Sequence, residues 1–332
     1  MRKITINLAA VAAFCIVVAS PALVSSSCAT PKTEQEDTTI IREDSGITAL
    51  KYSSPEVPAS IEFCGKTIDL SRFDRHERMD RELLAFTYMH STSLQMLKKA
   101  NRYFPIVEPI LKENGIPDDF KYLMVIESNM NPTARSSAGA AGLWQFMQGT
   151  GRDYGLEVNN NVDERYHIEK ATRAACRYLK DLYAIYNDWS LAIAAYNCGP
   201  GNVNKAIARS GGNGRTFWDI YDYLPRETRG YVPAFIGASY AYAYPRQHGI
   251  ELTESPIPLA TDTIRIDRLM HLGQIASTID IPIETLRQLN PQYKLDIIPA
   301  TTKPYTLVLP QRSLTQYVAN EPAILAKDSL YL

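Results

Sequence analysis

Neither sign of charge dominates this chain. Its 35 Lys and Arg stand against 36 Asp and Glu, a net of -1, so no broad field draws in nucleic acid or another polyanion. Cysteine is scarce: five copies, widely scattered, cannot build a disulfide scaffold, and no CxxC pair or Cys/His cluster has metal-ligand spacing. No metal site and no cofactor is expected. His76, His90, His167, His248 and His271 are equally dispersed and read as surface or structural side chains. The one long apolar run, about Ile4 to Val18, is short of the roughly 20 residues of a membrane span. With 45 % hydrophobic and 21 % charged residues, the composition excludes a wholly disordered, collagen-like or multi-span chain. At 332 residues, two domains plus extras are expected.

What is present begins with an export signal. Arg2 and Lys3 precede the apolar run, and Ser20, Pro21 and a small-residue stretch ending Ser25-Ser26-Ser27 follow it; this predicts a signal peptide over 1–27 and a chain exported to the cell envelope. Cys28 has two readings: the acylated first residue of a bacterial lipoprotein, attaching the chain to the outer membrane, or an incidental thiol. Residues 28–60, rich in Thr, Ser, Glu, Asp and Pro, read as a flexible tether. Of the remaining cysteines, Cys176 and Cys198 could pair in an oxidising compartment or stay as small buried thiols.

The mature chain is predicted to be mainly α. A helical lead-in over 61–114 carries Leu83, Leu84, Phe86, Leu94 and Leu97 at three-to-four spacing. Another helix starts at Asp118 as N-cap and stops near Asn131-Pro132, with further helices at about 168–187, 189–196 and 228–243. Residues 249–261, with Ser255-Pro256-Ile257-Pro258, read as a linker. Then a strand at 263–266, helices near 271–278 and 283–289 and a strand at 305–309 make a small βααβ unit, and 312–332 gives no clear pattern.

Glu127 lies seven, four and three residues after Phe120, Leu123 and Met124, so on a helix it shares their apolar stripe. Desolvation and the negative end of the helix dipole both disfavour its charged form. A carboxyl so raised can hold a proton near neutral pH and donate it to a leaving oxygen, as glycosidic cleavage requires. The spacing equally allows a buried Glu paired with an arginine such as Arg135 or Arg173.

Around Glu127 stands an ordered set of motifs: Glu127-Ser128, Asn131-Pro132, Ser136, Gly139-Ala140-Ala141-Gly142-Leu143-Trp144-Gln145-Phe146, then Ala194-Ala195-Tyr196-Asn197-Cys198-Gly199-Pro200-Gly201, then Glu227-Thr228-Arg229-Gly230-Tyr231. Together, over about 72–245, they resemble the lytic transglycosylases with a lysozyme-like (SLT) domain. The resemblance implies a lysozyme-like helical catalytic domain over 115–248 acting on peptidoglycan glycan strands in the periplasm. Glu127 matches the family's single catalytic acid, which protonates the MurNAc-GlcNAc bond and then deprotonates the muramoyl 6-hydroxyl, leaving a 1,6-anhydro end. Ser136 and Gln145 match groove residues, Tyr196 and Asn197 the pair that supports acid and sugar, and Tyr231 a tyrosine reaching back from a late helix. Between Glu127 and Asp153 there is no Asp or Glu, so nothing local supplies the second carboxylate of ordinary glycosidases. Trp144 and Phe146 read as core or as a sugar platform, and the glycines as turns or as sites of close glycan approach.

Residues 262–311 are similar to a LysM domain, a βααβ unit that binds N-acetylglucosamine-containing glycans. The usual Gly-Asp-Thr-Leu opening is replaced here by Asp267-Arg268-Leu269-Met270, and Ala300-Thr301-Thr302-Lys303 stretches the approach to the last strand. Whether the module binds glycan stays open. Two other functions remain beside the lytic one: a hydrolytic muramidase, and a non-catalytic peptidoglycan-binding protein.

Overall fold

A computed structural model describes residues 57–88, 90–212, 216–243 and 260–331. The signal segment, Cys28, almost all of the tether and all but the end of the 249–261 linker lie outside them. Among the described residues no helix is long and apolar enough to cross a membrane.

The structure opens with a feature that the helical reading of 61–114 missed. Strands β1 (Ser60–Phe63) and β2 (Lys66–Asp69) form an antiparallel hairpin. Its two-residue turn, Cys64-Gly65, has φ of 49° and 74°, the left-handed pair that matches strand twist. Four-residue strands with mostly exposed side chains carry little periodic signal, so sequence pattern alone could not reveal them. Phe63 packs edge-on against Phe235 at 5.2 Å, and Lys66 bridges to Asp188 at 2.8 Å.

Helices α1 (Phe73–Tyr88) and α2 (His90–Glu113) follow. The run expected to start on Asp118 is instead a 3-10 turn, Asp118–Tyr122, capped by Pro117, leading into a short helix α3 (Leu123–Ser128). Three-residue spacing in that turn brings Asp118 onto Lys121 at 2.6 Å. Next come α4 (Gln148–Asp153), α5 (Ile168–Tyr186), α6 (Trp189–Cys198), α7 (Pro200–Arg209), α8 (Phe217–Ile220), α9 (Arg226–Arg229) and α10 (Tyr231–Ala243). In α5 the buried residues Ala171, Ala174, Ala175, Leu179 and Leu182 fall on one face, and left-handed Asn187 ends the helix. Asp188 then caps α6, accepting from the Leu191 N–H at 3.0 Å. Helices α6 and α10 are buried on nearly every side. They form the centre of the domain, with the small side chains Ala192, Ala194 and Ala195 letting neighbours approach.

The second unit has its own core, including Met270, Leu272, Ile275, Leu286, Ile298 and Leu307. Strand β3 (Thr261–Ile266) pairs antiparallel with β6 (Tyr305–Pro310), and α11 (Leu272–Ile279) and α12 (Ile283–Leu289) lie between them in sequence. An additional ribbon pairs β4 (Leu269–His271) with β5 (Ile297–Pro299). The final stretch is structured: α13 (Leu314–Leu325) and α14 (Asp328–Tyr331) pack on α11, with Tyr317 and Ile324 buried and Gln274 bonded to Ile324 and Asp328.

Candidate active site

Helix α3 ends one residue after Glu127, and Asn129 and Met130 both turn through left-handed φ. Ser128 Oγ donates to the Met124 carbonyl at 3.0 Å and the Leu143 carbonyl at 3.1 Å, tying the helix end to the following loop. That loop, 134–146, folds on itself through bridges Arg135–Ala141 and Ala141–Phe146. Gly142 at φ +80° lies against residue 165 so closely that a Cβ would come within 1.8 Å of the Arg165 carbonyl oxygen; only glycine fits.

Glu127 is 8 % exposed. Its Oε1 accepts a short hydrogen bond from the Tyr231 hydroxyl, while its Oε2 is covered and has no hydrogen-bond partner among the described residues. Burial pushes the carboxyl up to about 8, against the opposing pull of the Tyr231 bond. The arginine-paired alternative fails: Arg173 bonds Glu113 at 2.7 Å, and Glu127 is in no ion pair among the described residues. No carboxylate among the described residues acts on it either, and Glu227 is exposed.

The other sequence-predicted residues divide by distance from the acid. Tyr231 touches it. Tyr196, buried, donates to the Trp144 carbonyl at 2.6 Å and feels the Glu127 charge, which with burial pushes its phenol upward. Asn197 accepts from the Thr228 hydroxyl at 2.9 Å, binding α6 to α9. Gln145, at left-handed φ 47°, donates to the Ala134 and Gly142 carbonyls at 3.2 and 2.8 Å. Half-buried Ser136 accepts from the Ala140 N–H at 3.0 Å. Gln145 and Ser136 thus hold backbone and Asn197 a neighbouring side chain, and none of the three is bonded to Glu127.

Trp144 is core, donating to Thr172 Oγ1 at 2.9 Å, and Phe146 is buried. Cys64, Cys176 and Cys198 are free thiols, so the Cys176–Cys198 pairing is not formed. No group of His, Cys, Asp and Glu among the described residues could hold a metal ion.

Sequence reasoning missed Tyr178. Its half-buried ring lies 5.2 Å from Tyr196 and 5.1 Å from Tyr154, and burial, with the Cys198 and Glu127 charges, pushes its phenol up to about 12. The available signal was its place four residues from Ala174 and Leu182 on the buried stripe of α5. Arg165, which holds the loop, gave no sequence signal, and Thr228, which holds Asn197, stood in the Glu227–Tyr231 motif without a role of its own.

Comparison with known proteins bears on this geometry. Residues 105–217 match the family model of the transglycosylase SLT domain, and residues 260–326 that of the lytic transglycosylase MltD, LysM-like domain. Membrane-bound lytic murein transglycosylase D of Escherichia coli (strain K12) is 29 % identical over 235 residues, 70 % of this chain and 51 % of that one. The soluble lytic murein transglycosylase of the same strain is 30 % identical over 131 residues, 37 % of this chain and 20 % of that one. This chain thus spans about half the length of the first of these relatives. A solved complex of the 70-kDa soluble lytic transglycosylase with bulgecin A is 23 % identical with a TM-score of 0.38, covering 52 % of this chain and 26 % of that one, too loose a superposition to carry argument.

Proposed function

We propose that this chain, whose residues 105–217 form a transglycosylase SLT domain and whose residues 260–326 form an MltD-type LysM-like domain, is a lytic transglycosylase of peptidoglycan. Glu127, neutral below a pKa of about 8, gives its proton to the oxygen of the bond between N-acetylmuramic acid and N-acetylglucosamine. The bond from C1 to that oxygen breaks. The Glu127 carboxylate then takes the proton of the muramoyl 6-hydroxyl, whose oxygen bonds to C1. The product is a 1,6-anhydro end, no water is consumed and the acid is regenerated. Tyr231 holds Oε1, which leaves Oε2 as the oxygen that handles the proton. Oε2 is covered, so this reading requires that glycan entry uncover it. The same reading assigns Tyr196, Asn197, Ser136 and Gln145, on the neighbouring loop and helix, to the support of the acid and the glycan.

The observation that carries the reading is a buried carboxyl with no ion pair and no carboxylate acting on it among the described residues. A hydrolytic muramidase of the two-carboxylate kind needs a second acid about 5 to 9.5 Å away to act as nucleophile or base. The reading places the chain in the bacterial cell envelope, in the periplasm, with Cys28 as the acyl attachment to the outer membrane.

Mass spectrometry of digested peptidoglycan tests it. Anhydro ends are expected, and Glu127→Gln should abolish them. Reducing ends would establish hydrolysis instead, and unchanged release by Glu127→Gln would refute the assignment of the acid.

A further inference from the structure

The LysM-like module does not merely follow the catalytic domain in sequence; one segment of that domain is built into it. Val162, which lies between α4 and α5, is fully buried within the module's own hydrophobic core. It forms a β-bridge with Tyr293. On either side of that bridge the Asp163 N–H donates to the Gln292 carbonyl at 2.9 Å and the Lys294 N–H to the Asn161 carbonyl at 2.9 Å. Lys294 Nζ reaches the Asn159 carbonyl at 2.5 Å, and Glu157 receives Lys303 at 2.7 Å and the Tyr305 hydroxyl at 2.9 Å.

The residue fixed by this contact, Asp163, holds Arg165. The pair is buried and bidentate, Nε to Oδ1 at 2.8 Å and Nη2 to Oδ2 at 2.7 Å. The remaining guanidinium nitrogen, Nη1, donates to the Gly139 carbonyl at 2.8 Å and the Phe146 carbonyl at 3.0 Å, the two ends of the turn that carries Gln145 and abuts the Glu127 helix. Arg165 is therefore held from one side by a carboxylate whose backbone the module grips, and holds the active-site loop from the other. A planar fork with four aligned acceptors tolerates little displacement.

We infer that Arg165 is a positioning residue for the glycan cleft and that the docked LysM-like module sets its position through Asp163, so that the module tunes turnover and not only capture of the wall. The inference rests on the lytic reading for its kinetic arm. A module acting only as an anchor would change KM on insoluble wall and leave turnover of soluble strands alone; a module acting through Arg165 changes kcat on both.

The test uses the full chain. Val162→Asp puts a charge into the module's core from the catalytic side and should release the module, seen as a larger radius in small-angle scattering. On soluble, uncrosslinked glycan strands kcat should fall about 10- to 100-fold, as sub-ångström misplacement of catalytic groups does, with KM changed less than about twofold. Amide exchange at Ala141 and Phe146, which bond each other across the loop at 3.0 and 3.1 Å, should quicken. Arg165→Lys, which keeps the charge and loses the fork, should show the same kcat loss with the module still docked. A milder pair guards against misfolding: Lys303→Glu should weaken docking and kcat, and adding Glu157→Lys should restore both. A released module with unchanged exchange and kcat overturns the inference, as does wild-type kcat in Arg165→Lys or a loss confined to KM. Were the wild type to release no anhydro ends, the lytic reading would fall, while the exchange measurement would still decide the coupling.

Discussion

Replacing Glu127 by Gln should shift stability toward the variant, relative to the wild type, by an amount that grows with pH. Burial holds the carboxyl at about 8 in place of 4.5, so the folded chain binds this proton more tightly than the unfolded chain does. Below about pH 4.5 both states are neutral at this position and nothing is lost. Between there and pH about 8 the unfolded chain releases the proton and the folded chain does not, so native stability falls as pH rises; above about 8 the deficit is constant. At about 1.4 kcal/mol per unit, the wild type gives up about 3 kcal/mol by pH about 7 and about 5 kcal/mol by pH about 9, relative to pH about 4. Gln does not titrate, and its Oε1 still accepts from Tyr231. Its Nε2 replaces the partnerless Oε2, which adds a penalty that is the same at every pH and cancels from the difference. Urea unfolding of both proteins at pH about 4, 7 and 9 measures that difference directly. Curves that stay parallel, with the gap changing by less than about 1 kcal/mol, would mean that the carboxyl is not held neutral by burial, and the acid role would lose its physical basis.

Two further outcomes follow from the same geometry. Tyr231→Phe removes the hydrogen bond that favours the ionised acid, so the alkaline limb of the pH profile of kcat/KM should move up by about one unit; an unmoved limb would show that this bond does not set the acid's pKa. Gly142→Ala, whose Cβ would lie 1.8 Å from the Arg165 carbonyl oxygen at φ +80°, should cost about 3 kcal/mol or more of stability in thermal or urea unfolding, and a cost under about 1 kcal/mol would show that the loop does not pack on residue 165 as described.

How much of this was legible in advance depended on whether a signal was periodic. Helix α5 was readable nearly to its ends because Ala171, Ala174, Ala175, Leu179 and Leu182 repeat at helical spacing and a left-handed Asn187 stops them. The βααβ order of the second unit was readable for the same reason. The β1–β2 hairpin was not, being two four-residue strands around an unmarked Cys64-Gly65 turn. The terminal helices escaped because Tyr317 and Ile324 are seven residues apart with polar or small residues on most positions between, and their burial is conferred by α11. Within the site, Glu127 could be singled out from its stripe, and Tyr196 and Tyr231 from motif order. Tyr178 and Arg165 stand 51 and 38 residues along the chain from Glu127, and their contacts with Tyr196 and with the 139–146 turn are encoded by no local pattern.

The same distinction explains why the loop around Gln145 is so heavily bonded. A buried neutral acid weakens the fold as pH rises, and Oε2 has no hydrogen bond among the described residues to recover any of that loss. Because burial is what raises the carboxyl, exposure of the α3 end to water would lower it. Ser128 fixes that end to Leu143, Gly142 lets the loop lie against residue 165, and Arg165 closes the turn at Gly139 and Phe146. Each of these contacts leaves Glu127 itself untouched. Their effect is to tie the residue next to Glu127 to the loop, so loosening the loop should admit water to the carboxyl and lower its pKa, read as a shift in its titration.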